Sequence, residues 1–486
     1  MPGTQSFNSV DELQRAYNDG VTTVKAVVEH YLKTIRESNP EINAVLATNE
    51  DALGDAQRLD DLEPAGRGPL HGVPMVIKDQ IETTGLPTTF GSKACTDYVP
   101  ERDATLVRKL KQAGAVVLGK STMPDWAASW FSTSSMSGTT KNPFDHSRDP
   151  GGSSSGSGAA VAAGMALAAI GGDTGGSIRL PASFCGLVGV RVTPGRISRD
   201  GMSALVVTQD TPGPMVNSVG DAAKMLDVLV GYDEADTYTS INALAGTVGS
   251  ATHFQDAVAK PSLQGKRLGV LKEAFGQHSG ITGVLETALK SFEAAGAELV
   301  DVSIPDLDHY KASTTLYAIR SKTDINEFLG SRNALSQLKI ENLHKDDAYH
   351  KALDLIDVLV KGPTDFLKSP HFASRLVEQS AFQRTVASVF ARERLDAIIY
   401  PTCQLLAPKT EDVLGMRWTC LNFPTNTVIA SQLLFPAMSV PVGRTKDTEE
   451  DPDGPDLPVG LEILGLPLKE DVILAVAAGI EAAGRN

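Results

Sequence analysis

Two clusters of glycine and serine hold the side chains of this sequence that are best suited to chemistry. The first reads GGSSSGSG at residues 151–158 and the second reads GGDTGGS at residues 171–177. A serine hydroxyl is a nucleophile only when a neighbouring base takes its proton. Lys78 follows the apolar pair Val76 and Ile77, and a lysine whose pKa is lowered by burial can be that base. A solvated lysine at a strand end is the alternative interpretation of Lys78.

Residues 151–182 could also be a flexible linker, a phosphate-binding loop or the nucleophile elbow of an α/β-hydrolase. A flexible linker shares the composition, but linkers do not carry an Asp, an Arg-Leu-Pro tract and a long run of small apolar residues. A nucleotide-binding P-loop would need Gly-Lys-Ser or Gly-Lys-Thr, which this stretch lacks. Residues 152–156 do match the Gly-x-Ser-x-Gly nucleophile elbow of α/β-hydrolases, with Ser154 at its centre.

An elbow at Ser154 would require a strong strand directly before it and a histidine partner later in the chain. The preceding residues 142–145 and 148–150 read instead as turns. The available histidines have no distinguishing context: His253, His278, His309, His344, His350 and His371. An α/β-hydrolase esterase using Ser154 therefore stays a secondary alternative.

The stretch as a whole resembles the amidase-signature family. The resemblance rests on the residues GGSSSG at 151–156, AVA at 160–162 and GGDTGGSIRLPA at 171–182. It extends to HGVP at 71–74 before Lys78-Asp79, and to the segment 457–465 near the end of the chain. Nearly the whole chain is covered, most thinly between residues 300 and 390.

The resemblance implies specific roles for residues of the two clusters. Ser177 would be the nucleophile, Ser153 a bridging serine with a cis peptide bond, and Lys78 the base. The backbone amides of the second cluster would form an oxyanion hole: Thr174, Gly175, Gly176 and Ser177. Three further residues would support these loops: Ser154, Asp173 and Arg179.

A pocket for the acyl group is expected between residues 123 and 138, which line that side of the site in similar enzymes. Its candidate substrate-binding residues are Trp126, Ala127, Trp130 and Phe131. Packing in the core is the alternative for each aromatic ring.

The alternation of helical and strand-like segments predicts an α/β fold with one large domain over residues 1–486, a mixed twisted sheet flanked by helices. Strands are expected at 73–77, 115–119, 267–271 and 298–302, and a small-residue helix at 158–170. Residues 305–390 are helix-rich without a chemical motif, and we expect a variable segment there that shapes the substrate site.

Composition limits the partners that we expect. The formal net charge of −15 argues against a nucleic-acid surface. Four dispersed cysteines indicate neither disulfides nor a zinc site, no secretory signal or membrane span is evident, and a cytoplasmic location is expected.

These features favour a stand-alone amidase that acts on a small-molecule amide, needs no metal or cofactor, and also accepts esters; a homodimer is left open. The main alternative is the glutaminase subunit of a tRNA-dependent amidotransferase, a member of the same family. The tract 203–214 weighs against it, because Thr208 and Thr211 replace the Ser and Gln usual in that subunit.

Overall fold

The computed structural model describes residues 6–245 and 252–484, and its centre is one mixed sheet of eleven strands. The strands are β1 Val45–Thr48, β2 Pro74–Lys78, β3 Val116–Ser121, β4 Ala168–Asp173, β5 Val188–Arg191, β6 Thr211–Val216, β7 Arg267–Leu271, β8 Glu298–Val302, β9 Ala397–Pro401, β10 Ala437–Thr445 and β11 Leu457–Leu464. Their spatial order is β1-β3-β2-β4-β6-β5-β10-β11-β9-β7-β8. Parallel and antiparallel neighbours both occur, so the predicted α/β fold with a mixed sheet is confirmed.

Helices cover the sheet. They are α1 Val10–Asn18, α2 Val24–Ile42, α3 Ala52–Asp60, α4 Thr105–Gln112, α5 Ser155–Ala162, α6 Arg179–Phe184, α7 Val219–Leu229, α8 His253–Val258, α9 Ser279–Ala294, α10 Leu307–Ser313, α11 Tyr317–Gly330, α12 Ile340–Lys345, α13 Asp354–Leu359, α14 Phe372–Glu393, α15 Thr410–Leu414, α16 Val428–Leu433 and α17 Glu470–Ala483. None of those within the described ranges has the length and apolarity that a bilayer crossing demands.

Strands β2 and β4 place the two halves of the site side by side. They are parallel neighbours, with Ile77 opposite Ile170. Every residue of both strands is buried, as is usual for strands covered on both faces. Because the carboxyl ends of parallel strands lie at one edge, Lys78 at the end of β2 lies beside Asp173 at the end of β4.

The expected small-residue helix at 158–170 is only half correct. Helix α5 ends at Ala162, Gly164 adopts a left-handed φ of +69°, and the chain enters β4 at Ala168. Helix and fully buried strand share the same small apolar residues, so their periodicity could not separate the two. The consequence is functional, since the second glycine cluster begins inside a central strand.

The segment 305–390 forms helices α10 to α14, as its composition predicted. Helices α11 and α13 pack against each other, and their apolar residues, including Ile325 and Ile356, form a separate core cluster with Phe90 and Trp126. This cluster lies on the side of the sheet where β2 and β4 end. The segment therefore forms a wall above the glycine clusters.

Candidate active site

The Lys78 amine is completely buried and contacts the first serine cluster. Its Nζ donates to Ser153 Oγ at 2.8 Å and to the carbonyl oxygen of Gly172 at 3.1 Å. Burial lowers the pKa of Lys78 to about 7, although the carboxylates of Asp173 and Asp210 oppose the shift. A large neutral fraction is therefore available near pH 7, as a general base requires.

The two serine clusters are joined through their backbones. The Ser154 amide donates to the Ser177 carbonyl oxygen at 3.1 Å, and the peptide bond between Gly152 and Ser153 is cis. The Ser154 hydroxyl contacts the backbone of Gly172, donating to its carbonyl oxygen and accepting from its amide. Ser154 is thus bound to strand β4, in a supporting position, and not to any of the described histidines.

Asp173 fixes the loop that carries Ser177. Its carboxylate accepts from the amides of Gly176 and Ile178 and from the guanidinium groups of Arg179 and Arg191. Burial alone would raise the pKa of Asp173, but the two guanidinium groups hold it well below its usual range. Arg179 is fully buried, so its contact with Asp173 is not a surface ion pair.

One of the four backbone amides expected to form the oxyanion hole already has an acceptor within the protein. The amide of Gly176 donates to Asp173 Oδ1 at 3.0 Å, because the loop turns back over that carboxylate. The amides of Thr174, Gly175 and Ser177 remain as candidate donors to an oxyanion. Gly176 has a φ of +122°, and a Cβ there would lie 2.0 Å from Thr427 Oγ1, so the turn requires glycine.

A cavity of about 240 Å³ opens at Ser177. Its described lining residues are Ala127, Ser129, Trp130, Ser177, Lys311, Thr315, Tyr317, Leu355, Cys420, Leu421, Val428 and Gln432. Ala127 and Trp130 therefore lie where the sequence placed them. Trp126 stacks instead on Phe90, with ring centroids 5.6 Å apart, and Phe131 packs against Phe423. Both rings are buried in the core, which is the alternative that the sequence analysis gave for them.

Most of the cavity wall could not be found from the sequence. Lys311, Thr315 and Tyr317 come from the segment 305–390, and Cys420 to Gln432 come from a second distant segment. For the first of these segments, the only indication was the expectation that residues 305–390, which are helix-rich and lack a motif, shape the substrate site. In the described ranges, no group of three or more His, Cys, Asp or Glu side chains could hold a metal ion.

The model of the family described as Amidase matches residues 26–474. The chain belongs to the amidase family. It is an amidase-signature hydrolase that acts on carbon–nitrogen bonds, and the Ser-Ser-Lys triad is known for this family.

Several members of the amidase family are similar to this chain along its full length. A glutamyl-tRNA(Gln) amidotransferase subunit of Koribacter versatilis is 34% identical, with 98% of each chain covered. The native peptide amidase of Stenotrophomonas maltophilia has a TM-score of 0.85 at 30% identity, covering 98% of this chain and 97% of its own. The corresponding amidotransferase subunit of Thermotoga maritima has a TM-score of 0.72 at 29% identity, covering 94% and 91%.

These relatives correct two expectations. The interpretation as a stand-alone amidase with no nucleic-acid partner is wrong, because curated relatives from several organisms at 33–35% identity are subunits of an enzyme named for glutamyl-tRNA(Gln). The net charge misled because the charge of one subunit does not report the substrates of the enzyme to which those relatives belong. The unusual Thr208 and Thr211 misled because the contacts of their tract to the catalytic loop come from Gln209 and Asp210, which bond Thr174.

Proposed function

We propose that this chain is the glutaminase subunit of a tRNA-dependent amidotransferase and that it hydrolyses the side-chain amide of glutamine at Ser177. Full-length similarity to curated glutamyl-tRNA(Gln) amidotransferase subunits supports the assignment. The ammonia released would serve the amidation of glutamyl-tRNA(Gln) by the complex.

Lys311 is the residue that favours glutamine as the substrate. It is the only charged side chain among the described residues that line the cavity at Ser177. Its Nζ lies 2.8 Å from Asp308 Oδ1, and both residues also line a second cavity, but the Asp308 side chain is 94% exposed, so water weakens the pairing. A substrate carboxylate would have to draw the amine away from Asp308. A cation in an otherwise uncharged cavity suits a substrate with a carboxylate at the end opposite its amide, as in glutamine.

The proposed chemistry uses Lys78, Ser153 and Ser177, and it is supported by the bond from Lys78 to Ser153 and by the bond from the Ser154 amide to the Ser177 carbonyl oxygen. Neutral Lys78 accepts the proton of Ser153 while Ser153 accepts that of Ser177, and Ser177 Oγ bonds to the amide carbon. The tetrahedral intermediate collapses to an acyl-enzyme as the proton returns through Ser153 to the departing ammonia. Water then attacks the acyl-enzyme by the same route and releases glutamate.

We also propose that residues 305–390 act as the substrate-shaping segment of a single amidase domain. They supply Lys311, Thr315, Tyr317 and Leu355 to the cavity wall. Relatives with other substrates would then differ mainly in this segment, whereas the elements that hold the three catalytic residues would be shared.

The proposal is tested by reconstitution. The chain, mixed with the other subunits of an amidotransferase, should convert glutamyl-tRNA(Gln) to glutaminyl-tRNA(Gln) with glutamine as the nitrogen source, and Ser177→Ala should not. Hydrolysis of peptide amides with no turnover of glutamine under any condition would overturn the assignment.

Lys311→Met tests the role of the cavity lysine. We expect the KM for glutamine to rise about 10-fold or more, the loss of one hydrogen bond to a charged group, with kcat nearly unchanged. Hydrolysis of butanamide, which has no carboxylate, should not change. Lys345→Met is a matched control, because Lys345 is exposed on the same segment and away from the cavity. An equal effect on both substrates would contradict carboxylate recognition.

A further inference from the structure

Tyr317 places a hydroxyl group against the loop that carries Ser177. The residue begins helix α11 and lines the same cavity as Ser177. A Cβ built on Gly175 would lie 2.2 Å from Tyr317 Oη and 3.5 Å from Trp130 Nε1. A larger residue at position 175 would displace the Tyr317 hydroxyl, and two side-chain donors meet above the Gly175 backbone.

Both donors are available to a substrate. Neither Tyr317 Oη nor Trp130 Nε1 donates to an acceptor among the residues that the structure describes. Burial raises the pKa of Tyr317 well above its usual value, and the nearby Cys420 and Asp173 raise it further. The phenol thus keeps its proton throughout the working pH range and can only act as a neutral donor or acceptor.

Packing alone does not explain the hydroxyl. A phenylalanine would fill the same volume without pointing an oxygen at the glycine turn. The loop has also committed one backbone donor, since the Gly176 amide is bonded to Asp173. A side-chain hydroxyl at this point can donate the hydrogen bond to an oxyanion that the Gly176 amide does not donate.

We propose that Tyr317 is a further catalytic residue, whose hydroxyl donates a hydrogen bond to the substrate carbonyl oxygen as it becomes an oxyanion. The Trp130 N–H, which lies near the same glycine, is a second candidate donor to that oxygen. This rests on the proposed attack by Ser177. As Ser177 Oγ bonds to the carbonyl carbon, the π electrons move onto oxygen and the serine proton passes to Ser153, while Tyr317 keeps its own proton.

The test is Tyr317→Phe, which removes one oxygen atom and preserves the ring. Removing one donor to an oxyanion lowers kcat by about 100-fold in a well-studied case, and we expect a loss of that order with KM nearly unchanged. Binding of a substrate-like trifluoromethyl ketone, which forms a tetrahedral adduct with the serine, should weaken by the same factor. Glutamate, the product without a tetrahedral centre, should bind as before.

A matched control is Tyr310→Phe. Tyr310 lies on the neighbouring helix α10, stacks on Phe382 and bonds Thr385, outside the cavity lining. It should leave kcat and inhibitor binding unchanged. The Tm of both variants reports folding.

Three outcomes are decisive. An unchanged kcat in Tyr317→Phe would overturn the proposal, and so would a lower Tm with a raised KM and normal kcat, which indicates packing only. Full activity in Ser177→Ala would instead overturn the proposed nucleophile, so the failure of this inference is distinguishable from the failure of the function on which it rests.

Discussion

Two buried lysines, Lys78 and Lys120, lie at or near the ends of neighbouring strands, and their contacts differ. Lys120, near the end of β3, lies 3.6 Å from Asp79 and donates to Thr88 and to the carbonyl oxygen of Ile81. Lys78 has a hydroxyl and one carbonyl oxygen as its direct partners. Burial lowers the pKa of both amines, to about 7 for Lys78 and to about 8 for Lys120, where Asp79 opposes the shift. A carboxylate in contact stabilises the charged form of an amine, so Lys120 suits a structural role and Lys78 suits proton transfer.

The pH dependence of catalysis should follow Lys78. Because the amine must be neutral to accept a proton and its pKa is lowered to about 7, the rate of Ser177 labelling by a fluorophosphonate probe should rise with pH through that value and then level off. Lys78→Ala should slow labelling by about 100-fold or more and remove the rise. A flat profile in the wild-type protein through that region would contradict Lys78 as the base.

At the scale of elements, strand β4 and helix α6 hold the catalytic loop between them through buried charge. Asp173 ends the strand, Arg179 begins the helix, and Arg191 reaches the same carboxylate from β5. The sequence identified Asp173 and Arg179 through the family motif. It did not identify Arg191, because that motif ends at residue 182.

Asp173→Asn should destabilise the fold. It would leave two buried guanidinium groups without their shared carboxylate, and breaking such a cluster costs about 3–5 kcal/mol. Urea unfolding measures the change. Asp301→Asn is the comparison, because its pair with Lys272 is exposed on both sides and should cost less than about 1 kcal/mol. Similar losses in the two variants would contradict the role given to Asp173.

At the scale of the whole molecule, the site is assembled from segments that are far apart in the chain. Strands β2, β3, β7 and β8 were predictable because they carry local patterns, whereas the first half of β4 was predicted to be helical. The dense motif is what pointed to Lys78, Ser153 and Ser177. The cavity wall was not predictable, because Lys311, Tyr317 and Gln432 meet Ser177 only through tertiary packing. Trp126 and Phe131 show the opposite error. They belong to the segment predicted to line the pocket, but their side chains are buried in the core.

Thr427 connects the C-terminal part of the chain to the loop that carries Ser177, and this contact can be tested. Its hydroxyl, just before helix α16, donates to the carbonyl oxygen of Gly175 at 2.8 Å. Thr427→Val keeps the shape and loses a bond worth about 1 kcal/mol, so we expect kcat to fall about 5-fold. Thr287→Val, which loses an exposed bond within α9, should have no effect on turnover. An unchanged kcat in Thr427→Val would show that the loop does not depend on this contact.

The contacts of Arg179 also set an order of events during synthesis. Its guanidinium bonds the Thr427 carbonyl oxygen at 2.9 Å, Ser431 Oγ at 2.7 Å and the carboxylate of Glu462, all near the end of the chain. Ser177, the proposed nucleophile, leaves the ribosome long before these groups exist. Asp173 and Arg191 can hold the loop early, but Arg179 lacks these three partners for most of translation. We therefore expect hydrolase activity to appear only when the last strands have been made.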